Sequence, residues 1–121
     1  LDPAKGICER LRAYERLLGM PDVDPRRLSL LQVLSPPRGI AEDAAALRGE
    51  VEALAARINA RHGAAQAGLL QLLQAPLPHS TVLALLARAR VGVVSALRDG
   101  MNLVAKEYVA AQDPADPGVL V

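Results

Sequence analysis

Aromatic side chains are nearly absent from this 121-residue chain, which has two tyrosines and neither phenylalanine nor tryptophan. A hydrophobic core must then be built from Leu, Val, Ile and Ala, each of which buries less area than a ring. The scarcity argues against binding of single-stranded nucleic acid, because proteins of that class stack bases on aromatic side chains. A net charge of +1 adds no strong field toward nucleic acid or a membrane surface. We therefore expect neither a nucleic-acid nor a membrane partner.

Cysteine and long apolar runs are also lacking. The single Cys8 excludes an internal disulfide and a cysteine-rich zinc site, which favours a reducing compartment. It lies near the start of a predicted helix, where a thiolate is somewhat favoured, although a small buried residue is the more ordinary role. His62 and His79 have no metal-ligating partners at a suitable spacing, so no metal or other cofactor is expected. No apolar run approaches the ~20 residues of a membrane span and no signal peptide is visible, so we expect a cytoplasmic protein.

Helical periodicity is clear in four segments of the chain. Apolar residues three or four positions apart predict two amphipathic helices, which carry Ile7, Leu11, Tyr14 and Leu18, and then Leu47, Val51, Leu54 and Ile58. Gly63 is expected to end the second helix. A third helix is predicted to begin at Ser80 or Thr81 and to bury the apolar side chains Val82, Leu85 and Leu86. A fourth helix is predicted over residues 103–111.

Short apolar runs lie between these helices, at residues 28–34, 69–73, 91–94 and 119–121. Their length favours buried parallel strands, although Leu-rich runs also fit helices. The alternation of strands and helices predicts an α/β fold with a Rossmann-like, doubly wound parallel sheet in one domain over residues 1–121. Leu1 and Asp2 look like the last residues of a strand, and Val121 looks like the middle of one. Because few natural domains begin and end inside strands, we expect a piece of a larger enzyme, truncated at both ends.

An acid, a glycine and an amide occupy the turn at residues 99–102, between a predicted strand and the fourth helix. The glycine lets the backbone approach a ligand closely, while the acid and the amide offer hydrogen bonds to hydroxyls. The amides of Leu103 and Val104 have no intrahelical partner and lie at the positive end of the helix dipole, which suits a phosphate. Glu107, one turn further, can accept hydrogen bonds from sugar hydroxyls. An ordinary strand-to-helix turn with a good cap explains the same residues equally well.

The stretch LRDGMNLVAKEYVAAQ at residues 97–112 resembles the nucleotide-sugar signature of the trehalose-6-phosphate synthases almost letter for letter, and the similarity continues to DPGVLV. In that family the segment holds the donor nucleotide sugar. By this resemblance, the donor glucose is contacted by Asp99, Gly100, Met101 and Asn102. The amides of Leu103 and Val104 bind the diphosphate, the donor site continues through Ala105 and Lys106, and Glu107 holds the ribose hydroxyls.

Three other segments resemble the same family. LDPAKGI at residues 1–7 looks like its donor-phosphate loop, which makes Lys5 the cation that faces the diphosphate; a solvated loop lysine is the alternative. LLQVLSPPR at residues 30–38 is similar to the strand and turn that place Arg38 on the acceptor's phosphate, a role suited to a planar fork of donors. A surface arginine on a proline-rich turn is the alternative there. Leu77 stands where the family contacts the nucleotide base.

The resemblance covers essentially the whole chain and implies a partial C-terminal, donor-binding domain of a GT-B type glycosyltransferase. It implies an enzyme, an α,α-trehalose-phosphate synthase that transfers glucose from UDP-glucose, or another nucleoside diphosphate glucose, to glucose 6-phosphate with retention. Lys5 and the first amides of the fourth helix would stabilise the leaving diphosphate, and Asp99 would orient the donor sugar.

The resemblance leaves two alternatives, which are a related synthase that uses glycerol 3-phosphate as acceptor and a non-catalytic regulatory relative. Homo-oligomerisation of the full-length enzyme stays open. The 121 residues alone are expected to have no transferase activity, because half of the implied cleft is absent.

Overall fold

A computed structural model provides the tertiary structure and describes residues 1–36, 41–63 and 68–121. The chain divides into two compact units, Leu1–Ala75 and Pro76–Val121. Each unit contains one pair of parallel strands. The prediction of an α/β fold with parallel strands is therefore confirmed, whereas the assignment of one domain to residues 1–121 stays a prediction. Within the part of the chain that the structure describes, no helix combines the length and the apolarity needed to cross a membrane.

The first unit has two helices and two strands: α1 (Ile7–Leu18), β1 (Leu30–Val33), α2 (Ala41–His62) and β2 (Leu70–Leu73). Two short 3₁₀ turns, Pro3–Lys5 and Pro25–Arg27, precede α1 and β1. Leu30 lies opposite Leu70 and Val33 opposite Leu73 in the parallel register. A parallel pair needs a crossover connection, and α2 belongs to that connection between the two strands.

The core of the first unit is aliphatic, as the composition predicts. Leu11, Val51, Ile58 and Leu69 are fully buried, and each of the two predicted amphipathic helices contributes to them. The helical prediction for both segments is thereby confirmed. The predicted stop at Gly63 is also confirmed, because α2 ends one residue earlier and the Gly63 N–H donates to the Asn59 carbonyl at 2.8 Å.

Asn59 joins α2 to β2 through its side-chain amide. Its Nδ2 donates to the Leu70 carbonyl at 2.9 Å, and its Oδ1 accepts from the Leu70 N–H at 3.0 Å. Both main-chain groups of a buried strand residue are therefore satisfied by one side chain, which removes the cost of leaving them unpaired. Tyr14 adds a bond from its hydroxyl to the neighbouring Leu69 carbonyl at 3.1 Å.

Glu15 links α1 to α2 by ion pairs with two arginines. Arg57 donates to it through Nε and Nη2, and Arg61 lies at 3.9 Å. The hydrogen bond from Arg57 is the main cause that lowers the pKa of Glu15 below its ordinary value of 4.5. A carboxyl whose pKa is lowered by folding stabilises the fold above its unfolded-state pKa and loses that contribution as the pH falls through the folded value.

We therefore expect Glu15→Gln to lower the melting temperature of the full-length protein at pH 7, and the difference from wild type to shrink as the pH falls below about 4.5. Melting curves at a series of pH values measure this. Asp22→Asn, an exposed turn residue of the same unit, is the matched control. A difference between Glu15→Gln and wild type that stays constant down to acid pH would contradict the assignment.

The second unit contains α3 (His79–Arg88), β3 (Val91–Gly92), α4 (Leu103–Ala111) and β4 (Val119–Leu120). The bounds of α4 match the predicted residues 103–111. The bond from the Val94 N–H to the Val121 carbonyl at 2.8 Å continues the pairing of β3 and β4 past their assigned ends.

Tyr108 is the buried centre of the second unit, with 1% of its surface exposed. Its hydroxyl donates to the Ala89 carbonyl at 3.0 Å, just before β3. A Cβ on Gly92 would lie 2.7 Å from the tyrosine ring, and one on Gly118 would overlap its hydroxyl. The Tyr108 ring therefore packs directly on the backbone of β3 and on the segment that leads into β4. This packing explains why residues 92 and 118 are glycines.

Three predictions about local structure differ from the structure. α3 begins at His79, one residue before the predicted start, and its apolar side chains Val82, Leu85 and Leu86 are half-buried rather than buried. Leu1 and Asp2 do not form a strand. Asp2 has an extended backbone but caps the following 3₁₀ turn, with its carboxylate accepting from the Ala4 N–H at 2.9 Å.

Candidate functional site

The turn from Asp99 to Asn102 is held together by the Asn102 side chain. Asn102 is the N-cap of α4, and its Oδ1 accepts from the Ala105 N–H at 3.2 Å. Its Nδ2 donates to Asp99 Oδ2 at 2.8 Å. Both ends of this amide are engaged within the turn, so Asn102 fixes the acid and the start of the helix, and its contact with the donor sugar stays a prediction.

The amides of Leu103 and Val104 occupy the first two positions of α4, where backbone N–H groups have no intrahelical acceptor. The two side chains are 57% and 46% exposed, so apolar contacts do not close this helix end. A Cβ on Gly100 would meet no atom within 4 Å, and its φ is outside the left-handed region. Neither the backbone conformation nor the packing of the described residues therefore requires glycine at this position.

Glu107 lies one turn into α4 and is half-buried. Its Oε1 is 2.9 Å from Nε2 of His79, the first residue of α3. Lys106, its neighbour in the predicted donor segment, places Nζ 3.4 Å from Sδ of the exposed Met101. The structure thus brings the predicted donor residues 99–107 together in one loop and one helix end, and it adds a histidine that the sequence pattern did not single out.

Lys5 ends a 3₁₀ turn that its neighbours define closely. Asp2 caps the turn and Pro3 begins it, at a position where the missing proline N–H is not needed. Gly6 follows with φ 61° and ψ 38°, a left-handed conformation that favours glycine, and it is also the N-cap of α1. The Lys5 side chain is exposed at the start of a helix.

Arg10 binds the backbone of Lys5, a role that no local pattern in the sequence indicated. Its Nη2 donates to the Lys5 carbonyl at 3.0 Å, and its Nη1 donates to Oε1 of the buried Gln32 at 2.8 Å. Burial lowers the pKa of Arg10 from its usual value. Gln32 in turn donates to the Val33 carbonyl at 2.8 Å, so the Lys5 turn is fastened to strand β1.

The start of the chain and the end of β1 lie side by side. The Leu1 nitrogen donates to the carbonyls of Ser35 and Pro36 at 2.9 and 3.1 Å. Ligands of open α/β sheets bind at the carboxyl ends of the strands, and the Lys5 turn lies at that end of β1. Arg38, the predicted acceptor-phosphate residue, lies outside the described residues. Leu77, predicted to contact the base, is half-buried in the segment between β2 and α3.

Cys8 is buried with 5% exposure, which agrees with its predicted role as a small buried residue. Burial, and then the nearby Glu50 carboxylate, raise the pKa of its thiol. The expectation of a favoured thiolate at the helix start is therefore wrong, because burial disfavours the charged form of this thiol. In residues 1–36, 41–63 and 68–121, His, Cys, Asp and Glu side chains form no group of three that could hold a metal ion.

Comparison with known proteins identifies the relatives of this chain. Residues 1–121 match the sequence profile of the family described as Glycosyltransferase family 20. A trehalose-6-phosphate synthase of Enterobacter sp. (strain 638) is 44% identical over 121 residues, which are 100% of this chain and 26% of that protein. The chain thus spans about a quarter of the length of this relative.

Solved structures agree with that match. The UDP-forming α,α-trehalose-phosphate synthase of Burkholderia xenovorans in complex with glucose-6-phosphate has a TM-score of 0.92 and 42% identity, over 98% of this chain and 26% of its own. A structure described as trehalose-6-phosphate from E. coli bound with UDP-2-fluoro glucose has a TM-score of 0.93 and 41% identity, over 99% and 27% respectively.

Proposed function

The chain belongs to glycosyltransferase family 20, and from that premise we propose that it forms part of the nucleotide-sugar-binding half of a retaining α,α-trehalose-phosphate synthase. The full-length protein would transfer glucose from UDP-glucose, or another nucleoside diphosphate glucose, to glucose 6-phosphate. One observation carries the proposal. The start of α4 is exposed and has two backbone N–H groups without an intrahelical acceptor, and it follows a turn in which an acid is fixed in place. The relatives bound to glucose-6-phosphate and to UDP-2-fluoro glucose support both substrate classes.

In the second unit, the donor would be held by the turn and by the start of α4. Asp99, fixed by Asn102, would accept hydrogen bonds from sugar hydroxyls. Gly100 supports this assignment. Neither the conformation of the turn nor its packing requires a glycine there, so we take the close approach of a ligand as the reason for it. Met101 would lie against the donor glucose, and the segment 103–107 would bind the diphosphate and the ribose.

In the first unit, Lys5 would face the donor's phosphates. Its side chain is exposed while its backbone is bound by Arg10, so the ammonium is delivered from a fixed turn. Leu77 would contact the base, and Arg38 would bind the phosphate of the acceptor, where a planar guanidinium can donate two parallel hydrogen bonds.

The chemistry asks mainly for stabilisation of the leaving group. As the glycosidic bond breaks, negative charge grows on the diphosphate while the sugar becomes oxocarbenium-like. Fixed donors aimed at that charge lower the barrier, because they need no reorganisation during the reaction. Lys5 and the first amides of α4 would supply those donors. Asp99 would orient the sugar and would not act as a covalent nucleophile.

The proposal is tested by assaying the full-length protein with a matrix of nucleotide-sugar donors and phosphorylated acceptors. We expect turnover with a nucleoside diphosphate glucose and glucose 6-phosphate, and Arg38→Ala should raise KM for glucose 6-phosphate by about 10- to 100-fold without changing KM for the donor. Arg38→Lys should recover only part of this affinity, since an ammonium cannot bind in the same bidentate way. Preference for glycerol 3-phosphate, or no turnover with any pair, would overturn the proposal in favour of a related synthase or a non-catalytic relative.

A further inference from the structure

The contact between His79 and Glu107 joins the start of α3 to the middle of α4 in the second unit. Nε2 of His79 lies 2.9 Å from Oε1 of Glu107. An ionised carboxylate can only accept a hydrogen bond, so the proton must be on Nε2 of the imidazole. The side chains are 68% and 30% exposed. Polar pairs as exposed as this one contribute little to folding stability, which leaves its effect on the position of Glu107 as the larger consequence.

A glutamate side chain has three rotatable bonds and loses considerable freedom when it is ordered for a ligand. The bond from His79 engages Oε1 and restricts those rotations before a ligand arrives. Oε2 keeps the acceptor capacity of a carboxylate oxygen. Glu107 also lines a shallow groove of about 380 Å³ together with Leu83, Ala87, Ala110 and Ala111, from α3 and α4. The residues that line this groove beside Glu107 are apolar, and the hydrogen bond that the structure records for the carboxylate is the one to His79.

We propose that His79 is a positioning residue that orients the Glu107 carboxylate toward the ribose hydroxyls of the donor. This inference rests on the proposed function, which assigns Glu107 to the ribose. It follows that His79 sets the discrimination between a ribonucleotide donor and its deoxyribose analogue, although it does not itself touch the reacting atoms.

The test uses the full-length enzyme with UDP-glucose and with its 2′-deoxy and 3′-deoxy ribose analogues. His79→Leu removes the hydrogen-bond donor, and the side chain of His79→Asn is too short to reach Glu107. His79→Gln presents an amide N–H near the position of Nε2. We expect the first two variants to raise KM for UDP-glucose about three- to tenfold with little change in kcat. Their KM for the deoxy analogues should be unchanged, so the discrimination between donors falls. His79→Gln should restore it. Ser80→Ala, at the next exposed position of α3, is the control.

The outcomes separate this inference from the function on which it rests. If Glu107→Gln abolishes the ribose discrimination while His79→Leu and His79→Asn keep it, the positioning role is wrong and the ribose assignment stands. If Glu107→Gln itself leaves the discrimination unchanged, the ribose assignment of the proposed function fails, and the role of His79 fails with it. An equal loss of activity with all donors, accompanied by a lower melting temperature, would reduce His79 to a structural contact.

Discussion

Lys5→Ala in the full-length protein is expected to lower kcat/KM for the nucleotide-sugar donor by about 10²- to 10³-fold. Removing one preorganised donor from a developing oxyanion costs ~3–4 kcal/mol in comparable sites. Added Mg²⁺ should not restore the rate, because a diffusible ion does not replace a cation delivered from a fixed turn. Steady-state kinetics with the donor varied at saturating acceptor measure the effect.

Arg27→Ala provides the matched control, since Arg27 is an exposed cation of the same unit outside the proposed site. It should leave the kinetics unchanged, which separates a local contact from a change in overall charge. Normal donor kinetics in Lys5→Ala would show that the diphosphate assignment is wrong. Recovery of full activity by Mg²⁺ would contradict the fixed-cation role in the same way.

Tyr108→Ala is expected to destabilise the second unit by about 3–5 kcal/mol, because it removes a fully buried aromatic side chain and leaves a cavity. Amides of β3, α4 and β4 in the full-length protein should then exchange with deuterium about two to four orders of magnitude faster. Hydrogen exchange followed by mass spectrometry localises this effect to the second unit.

Tyr108→Phe keeps the ring and removes only the hydroxyl that donates to the Ala89 carbonyl at 3.0 Å. Its effect should be smaller, about 1–2 kcal/mol, because the ring still packs on Gly92 while one partly buried carbonyl loses its partner. Equal exchange rates for Tyr108→Ala and wild type would contradict the central position of this side chain.

The helices were predictable because each one carries a local pattern. Apolar residues at helical spacing predicted α1 and α2, and all of them are buried in the core or packed against it, with Tyr14 and Leu47 only partly buried. The fourth helix was predicted over residues 103–111, which are the bounds of α4. The predicted strands were longer than the observed ones, most of all β1, because an apolar run marks which residues are buried but not how far a neighbouring strand pairs with them.

The candidate site was predictable to a lesser degree. Residues 99–107 were identified as one contiguous segment with a recognisable pattern, and the structure brings them together at a loop and a helix start. The links that hold the site were not identified: Arg10 with Gln32 and Lys5, and His79 with Glu107. The histidine and the glutamate are 28 positions apart and have no periodic relation, so no local signal joins them.

The sequence by itself determined the α/β class, the aliphatic composition of the core, the four helices and the family, because periodicity, turn residues and contiguous motifs are local properties. Only the tertiary structure decided which polar side chain meets which: Asn102 binds Asp99 within the turn, Arg10 binds Gln32 and the Lys5 carbonyl, and Glu107 lies against His79. A hydrogen bond depends on distances of about 3 Å between atoms. Packing of whole helices and strands sets those distances, and the order of residues along the chain does not.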